Sequence, residues 1–285
     1  MSVFDRVRQM IASDRSGRGV GPMLRAEHLR SACDLLLKSA SVAIVTGFFV
    51  PACGAPETDG PGGAVVLGRA LSRLGKYVLL YTDPLCDRAI EACSRSVGGP
   101  EVHSVERGED VLEPRPSLVV FLERLGRAAD GRYYNMRSED ISDFTYPLDD
   151  AAAMAMNGGT PVVAIGDGGN EAGMGILRSE LSVALPGYAR CLSVTGSTVA
   201  VAADVSDWGG YGLAALLSIE AGEWTGPEEH EIDDMLAALV DAGAVDGVTR
   251  MSAPTVDGFK SGVHKEVVRS LRGAVDLEPP RGARE

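Results

Sequence analysis

The chain has 285 residues, is 45% hydrophobic and only 5% aromatic, and sets 27 basic against 40 acidic side chains for a net charge of −13. Nucleic acid and anionic membrane surfaces both demand a basic footprint, so the acid excess excludes them as principal partners while leaving room for small anions at clustered arginines such as Arg127, Arg132 and Arg137. No apolar run is long enough for a membrane span, and charges interrupt residues 1–18 too often for a signal-peptide core, so a soluble cytoplasmic protein is expected.

Residues 2–13 pattern as a short amphipathic helix, followed by a polar, Gly-rich link over 14–21. Leu29, Cys33, Leu36 and Leu37 recur at helical spacing and predict a helix over 26–39. A strand follows at 42–46, then a loop over 47–61 and a helix over 62–74 that Gly75 stops. After a strand at 76–82, Asp83-Pro84 is expected to cap and start the next helix. Residues 102–105 suit a short strand and 106–116 a polar connection. The strand 118–122 leads into the longest loop, 123–147, before a helix over 148–157 that ends at Gly158-Gly159. Strands at 161–165 and 198–203 alternate with helices predicted over 172–182, 208–221 and 227–242. Residues 251–259 carry no clear period, 260–271 are helical, and 273–285 form a polar tail. This alternation implies an α/β fold, a doubly wound, mostly parallel sheet with helices on both faces, in a single domain over 1–285.

The chemistry gathers where strands end. The β-branched run 162–165 opens into Asp167, Asn170 and Glu171 packed among five glycines in residues 161–175. Hard oxygen donors beside a permissive backbone suit Mg²⁺, Mn²⁺ or Ca²⁺. The same grammar recurs beyond the other apolar runs, with Glu57 and Asp59, with Glu123 and Asp130, and with Asp204 and Asp207. Parallel sheets bind ligands outside the carboxyl ends of their strands, so these acids are expected to share one crevice. Crowding Asp59, Glu123, Asp130, Asp167 and Glu171 together is costly unless a cation or raised pKa values relieve it. The plainer readings are an ion pair of Glu123 with Arg124 or Arg127, and a turn role for Asp130 before Gly131.

Other chemistries fit less well. Neither 46–50 nor 166–173 has the spacing of a dinucleotide-binding glycine motif, and no phosphate-binding loop of the G-x-x-x-x-G-K-[ST] type is present. The five cysteines (Cys33, Cys53, Cys86, Cys93 and Cys191) lack metal-site doublets and read as reduced thiols; Cys53 has no histidine nearby in sequence. Of the four histidines, His264 is the one to test as a proton carrier.

Taken together, Thr46–Pro51, Glu57–Pro61, Arg127–Met136, Ile165–Gly175 and Ser206–Gly209 resemble the D-glutamate cyclase family over about residues 26–270, the likeness being to the catalytic C-terminal part of its longer vertebrate members. One departure stands out: Asp207 precedes Trp208 where the family pattern has Asn. The resemblance implies conversion of D-glutamate to 5-oxo-D-proline and water, a reaction that a divalent cation, Mn²⁺ or Mg²⁺, held by the crowded acids would assist. On this reading Asp59, Asp167, Asn170 and Glu171 are assigned to the metal, with Asp167, Glu171, Asp130 and Glu123 as catalytic acids. Arg127 or Arg132 would hold the substrate α-carboxylate, the N–H groups of Gly168 and Gly169 an oxyanion, and Tyr133, Asn135 and Trp208 would shape the pocket. A metal-dependent phosphohydrolase and a non-catalytic amino-acid sensor remain alternatives, and homo-oligomerisation stays open.

Overall fold

In the computed structural model, which describes residues 1–276, ten strands and ten α-helices form. The strands are β1 (Ser41–Thr46), β2 (Phe49–Val50), β3 (Ala55–Pro56), β4 (Tyr77–Thr82), β5 (Val102–Ser104), β6 (Leu118–Leu122), β7 (Val162–Gly166), β8 (Val199–Ala202), β9 (Thr255–Val256) and β10 (Phe259–Lys260). The helices are α1 (Val3–Ile11), α2 (Ala26–Lys38), α3 (Pro61–Arg73), α4 (Asp87–Ser96), α5 (Gly108–Leu112), α6 (Asp150–Asn157), α7 (Arg178–Ala184), α8 (Ser206–Ala221), α9 (Glu229–Asp241) and α10 (Ser261–Val275). The polar tail expected over 273–285 lies largely outside the described residues; 273–275 belong to α10.

Six strands make one sheet in the order β5-β4-β1-β6-β7-β8, and every pairing in it is parallel. β2–β3 and β9–β10 are separate two-stranded antiparallel pairs. Alternate side chains of the sheet feed two cores. Val42, Ile44, Leu80, Val120 and Val163 pack with residues of α1, α2, α3, α4, α8, α9 and α10. Ala43, Val45, Leu79, Val119 and Phe121 pack beneath the short α5 and α6. Burial on both faces explains why these strands are near-continuous apolar runs, and each fully buried Val, Leu or Ile contributes roughly 1.5–3 kcal/mol. Among the described residues no helix is long and apolar enough to cross a membrane.

The chain leaves β1 to one side through β4 and β5, then returns to the other through β6. The carboxyl ends of β1 and β6 therefore flank the topological switch point, where sheets of this kind open a crevice. Two helices aim their N-termini at it. α3 and α8 lie backbone to backbone: a Cβ on Gly210 would sit 2.6 Å from the carbonyl oxygen of Gly63.

Local structure departs from expectation where side chains are claimed elsewhere. Asp83 does not start a helix; it accepts the N–H of Leu85 and an ion pair from Arg124, so α4 begins only at Asp87. The helix predicted over 172–182 starts late, as 3₁₀ backbone at Met174 and as α7 at Arg178, because Gly173 adopts φ +90°. The connection 106–116 contains α5, and the patternless stretch 251–259 forms β9 and the turn into β10.

Candidate active site

The exits of β1, β6 and β7, with the segments around Arg18 and over 247–257, build an acidic crevice of about 230 Å³ whose walls include Arg18, Phe48, Val50, Glu57, Glu123, Asn135, Met136, Arg137, Asp167, Asn170, Val248 and Asp257. Carboxylate oxygens of Glu123, Asp167 and Glu171 lie within 4.8 Å of one another, as do those of Asp59, Asp167 and Asp257. Asp167 thus belongs to both groups and stands at their centre.

Backbone geometry delivers these groups. Glu123 follows β6 directly and adopts φ +44°; Asp257, in the turn between β9 and β10, adopts φ +55°. Left-handed conformations are costly for residues bearing a Cβ and collect at functional sites. The conformation of Glu123 is held from behind by Arg124, wholly buried, which donates to the carbonyls of Gly47 and Tyr146 and pairs with Asp83, tying the exits of β1, β4 and β6 together. Glu123 Oε2 accepts the Ser206 hydroxyl at 2.5 Å. Asp246 fixes the Asp257 turn by accepting N–H groups of Val248, Thr249 and Gly258 and the hydroxyl of Thr255.

Burial first, then the charges of neighbouring acids, holds Glu57, Asp59, Glu123 and Asp257 far above the usual carboxylate range. Burial also pushes Asp167 to about 8, against the opposing charge of Arg18. Asp207 rises to about 7 for the same first reason, although N–H groups of Gly63 and Gly60 hold it down. At neutral pH such a cluster retains protons or needs a cation.

The donor set fits a hard divalent ion. Every group is an oxygen ligand, and the buried Oδ2 of Asp257 receives no hydrogen-bond donor. Not all the acids are equally free. Asp59 accepts the N–H groups of Ser206 and Asp207, and Glu171 accepts those of Asp167, Gly168 and Gly169 at 2.6–2.9 Å. Glu123 gives one oxygen to Ser206, and Asp167 and Asp257 each give one to Arg18, which leaves each of them an oxygen for a further ligand.

The expected site residues divide accordingly. Asp59, Glu123, Asp167, Asn170 and Glu171 come together, and Asn135 lines the crevice. Asp130 does not join them: it is exposed and accepts from the Tyr134 hydroxyl and the Arg132 N–H, so its role is that of a turn. Arg132 is exposed and pairs with Asp140. Arg127 is held by Asp150 and by the Tyr133 hydroxyl, away from the crevice walls. Tyr133 itself donates to buried Asp149. The N–H groups of Gly168 and Gly169 are consumed by Glu171, which removes them as an oxyanion hole. Trp208 is fully buried and donates its indole N–H to His264 Nδ1 at 2.8 Å. His264, lowered to about 4 chiefly by burial, lines no part of the crevice.

Two charged wall residues escape the sequence reading, Arg18 and Asp257, while Glu57 is one of the strand-exit acids expected in the crevice. Arg18 pairs with both Asp167 and Asp257. The five cysteines form no disulfide, and Cys53 is the one not buried.

A family model described as D-glutamate cyclase-like, C-terminal, matches residues 7–272. The chain is 36% identical over 248 residues to the human protein described as D-glutamate cyclase, mitochondrial, an alignment covering 77% of this chain and 40% of that one. The chain therefore matches well under half the length of that relative. Among solved structures it is similar to an exopolyphosphatase-related protein from Bacteroides fragilis, with TM-score 0.42 and 8% identity over 87% of this chain and 57% of that one; so loose a likeness carries no functional weight.

Proposed function

The chain belongs to the D-glutamate cyclase-like family, and from that premise we propose that it is a lyase that closes D-glutamate to 5-oxo-D-proline with release of water. The observation that carries this reading is the meeting of Asp167 with Glu123 and Glu171 on one side and with Asp59 and Asp257 on the other, at the switch-point crevice with an apolar wall of Phe48, Val50, Met136 and Val248 alongside.

The reaction forms a bond between the substrate nitrogen and its γ-carboxyl carbon and breaks one C–O bond of that carboxyl. Two obstacles stand in the way: an α-ammonium has no lone pair to attack with, and a carboxylate resists attack. Folding the five-carbon chain against the apolar wall brings nitrogen to carbon, and such proximity lowers barriers by up to roughly 7–11 kcal/mol in well-oriented systems. Carboxylates of the cluster take two protons from the nitrogen, one to free its lone pair and one after it has attacked. Neighbouring carboxyls that burial keeps protonated return two to the departing oxygen so that it leaves as water. The fixed, strained backbone of Glu123 keeps its carboxyl aimed into the crevice throughout.

A divalent cation, Mg²⁺ or Mn²⁺, would be held by Asp167 together with Glu123 or with Asp257, where it would supply Lewis-acid polarisation of the γ-carboxyl and offset the crowded negative charge. The remaining acids hold the frame. Glu171 gathers the Gly-rich turn, and Asp59 fixes α8.

The test is incubation of the protein and Mg²⁺ with each glutamate enantiomer, followed by proton NMR. Lactam from the D-enantiomer supports the reading. Unchanged D-glutamate, with the protein still stabilised by it in a thermal-shift assay, makes the protein a sensor instead.

A further inference from the structure

The crevice is a hostile place for an acidic substrate. Glu57, Glu123, Asp167 and Asp257 line it, and a molecule with two carboxylates must enter against their field. Among the described residues, two cationic side chains line the crevice, Arg18 and Arg137. Arg137 is spent on backbone, donating to the carbonyls of Gly247 and Val248. Arg18 reaches the centre, pairing with Asp167 and, at 2.7 Å, with Asp257.

Arg18 comes from an unpromising segment, the polar link between α1 and α2, yet that segment is built. Asp14, Gly17 and Gly19 all adopt positive φ, and Asp14 Oδ1 accepts the Gly19 N–H at 2.8 Å. The whole strap is fastened to one carboxylate just beyond β8. Asp204, 1% exposed, accepts the N–H groups of Ser13, Asp14 and Arg15, each at 2.9 Å, while its own N–H donates to the carbonyl of Ile11. Gly21 closes the strap so tightly that a Cβ there would stand 2.4 Å from Asp204 Oδ1. A buried carboxylate gathering three successive N–H groups of a loop holds that loop in one conformation.

We propose that Arg18 is the specificity-determining residue that receives a carboxylate of the acidic substrate, and that Asp204 is a positioning residue whose grip on the 12–21 strap brings Arg18 into the crevice. This assignment rests on the cyclase reading for its substrate and on nothing else in it. The guanidinium fork matches a carboxylate in two parallel hydrogen bonds, which an ammonium cannot reproduce. On entry the substrate carboxylate takes over donors now shared between Asp167 and Asp257. The same exchange leaves those two acids free for a cation and for proton transfer.

The experiment compares wild type with Arg18→Lys, Arg18→Gln and Asp204→Asn in the presence of Mg²⁺. Two measurements are made: steady-state kinetics with D-glutamate, and thermal-shift titration with glutarate, a dicarboxylate of the same chain length that cannot cyclise. Arg18→Gln is expected to raise KM and weaken glutarate binding by about ten- to a hundredfold, with kcat changed far less. Arg18→Lys falls between it and wild type. Asp204→Asn reproduces the KM effect and, in hydrogen exchange, loses protection at Ser13, Asp14 and Arg15 by about tenfold or more. Unchanged glutarate binding in both Arg18 variants, or a fall confined to kcat, overturns the role given to Arg18. Full strap protection in Asp204→Asn overturns that of Asp204. Should wild type form no lactam, the cyclase reading fails, and glutarate binding with hydrogen exchange still decides the present proposal.

Discussion

Asp59 and Asp207 cap each other's helices. Asp59 precedes α3 yet accepts the N–H groups of Ser206 and Asp207 at the start of α8; Asp207, in α8, accepts those of Gly60 and Gly63 at the start of α3. Each carboxylate satisfies donors that the helix leaves open and sits at the positive end of the partner's dipole. The exchange also locks the two helices whose backbones touch at Gly63 and Gly210.

That reciprocity asks one acceptor oxygen of the side chain at position 207. The working atom of Asp207 is Oδ1, and an asparagine carbonyl fills the same place. Asp207→Asn is expected to leave the denaturant midpoint nearly unchanged. Asp207→Ala, which leaves the buried Gly63 N–H without an acceptor and Gly60 with Asp59 alone, costs about 1–3 kcal/mol. Equal loss in both variants would show that the charge, not the cap, matters.

Glu171 separates structural from chemical acids. Three N–H groups converge on its two oxygens, so Glu171→Gln presents an NH₂ group to at least one of them and is expected to lose about 1–3 kcal/mol of stability. Urea unfolding measures this. A variant as stable as wild type would remove Glu171 from its place as organiser of the turn.

The crowded acids make stability depend on pH in a definite sense. A carboxyl whose pKa is raised in the folded state favours folding below its unfolded value, near 4, and that contribution is lost as pH climbs through the folded value, about 8 for Asp167. The metal-free protein should therefore lose melting temperature from pH 5 to pH 8, and Mg²⁺ should restore more of it at pH 8 than at pH 5. Asp257→Asn should flatten the pH slope. A melting temperature that rises across this range without metal would contradict the electrostatic picture.

His264 works in the opposite direction. Burial disfavours its charged form and lowers its pKa from 6.5 to about 4, and protonation at Nδ1 would also break the bond it accepts from the Trp208 indole N–H. Its contribution is complete above pH 6.5 and disappears as pH falls toward 4, a loss of about 3 kcal/mol across the window. The difference in unfolding free energy between wild type and His264→Gln should shrink by that amount from pH 7 to pH 4.

Much of this fold is legible in the chain because its strands are covered on both faces: 42–46, 118–122 and 162–166 leave little but apolar residues. Their acidic exits are equally plain, and Asp59, Glu123 and Asp167 meet. What hides is pairing between distant segments. Arg127 and Arg132 look free in sequence but are claimed by Asp150 and Asp140. Gly168 and Gly169 read as open donors until Glu171 folds back on them. Arg18 and Asp257 arrive from a link and a patternless turn, where no periodicity points anywhere. Asp204, noted only as an acid after a strand, proves to hold the strap that carries Arg18.

The most direct test of the converging-acid site is calorimetric titration of Mn²⁺ into wild type and Asp167→Asn, with far-UV circular dichroism as the folding control. Wild type should bind the ion at one site, and the variant should lose that binding while keeping its spectrum. Equal binding by both proteins, or none by wild type, would contradict a cation held at Asp167.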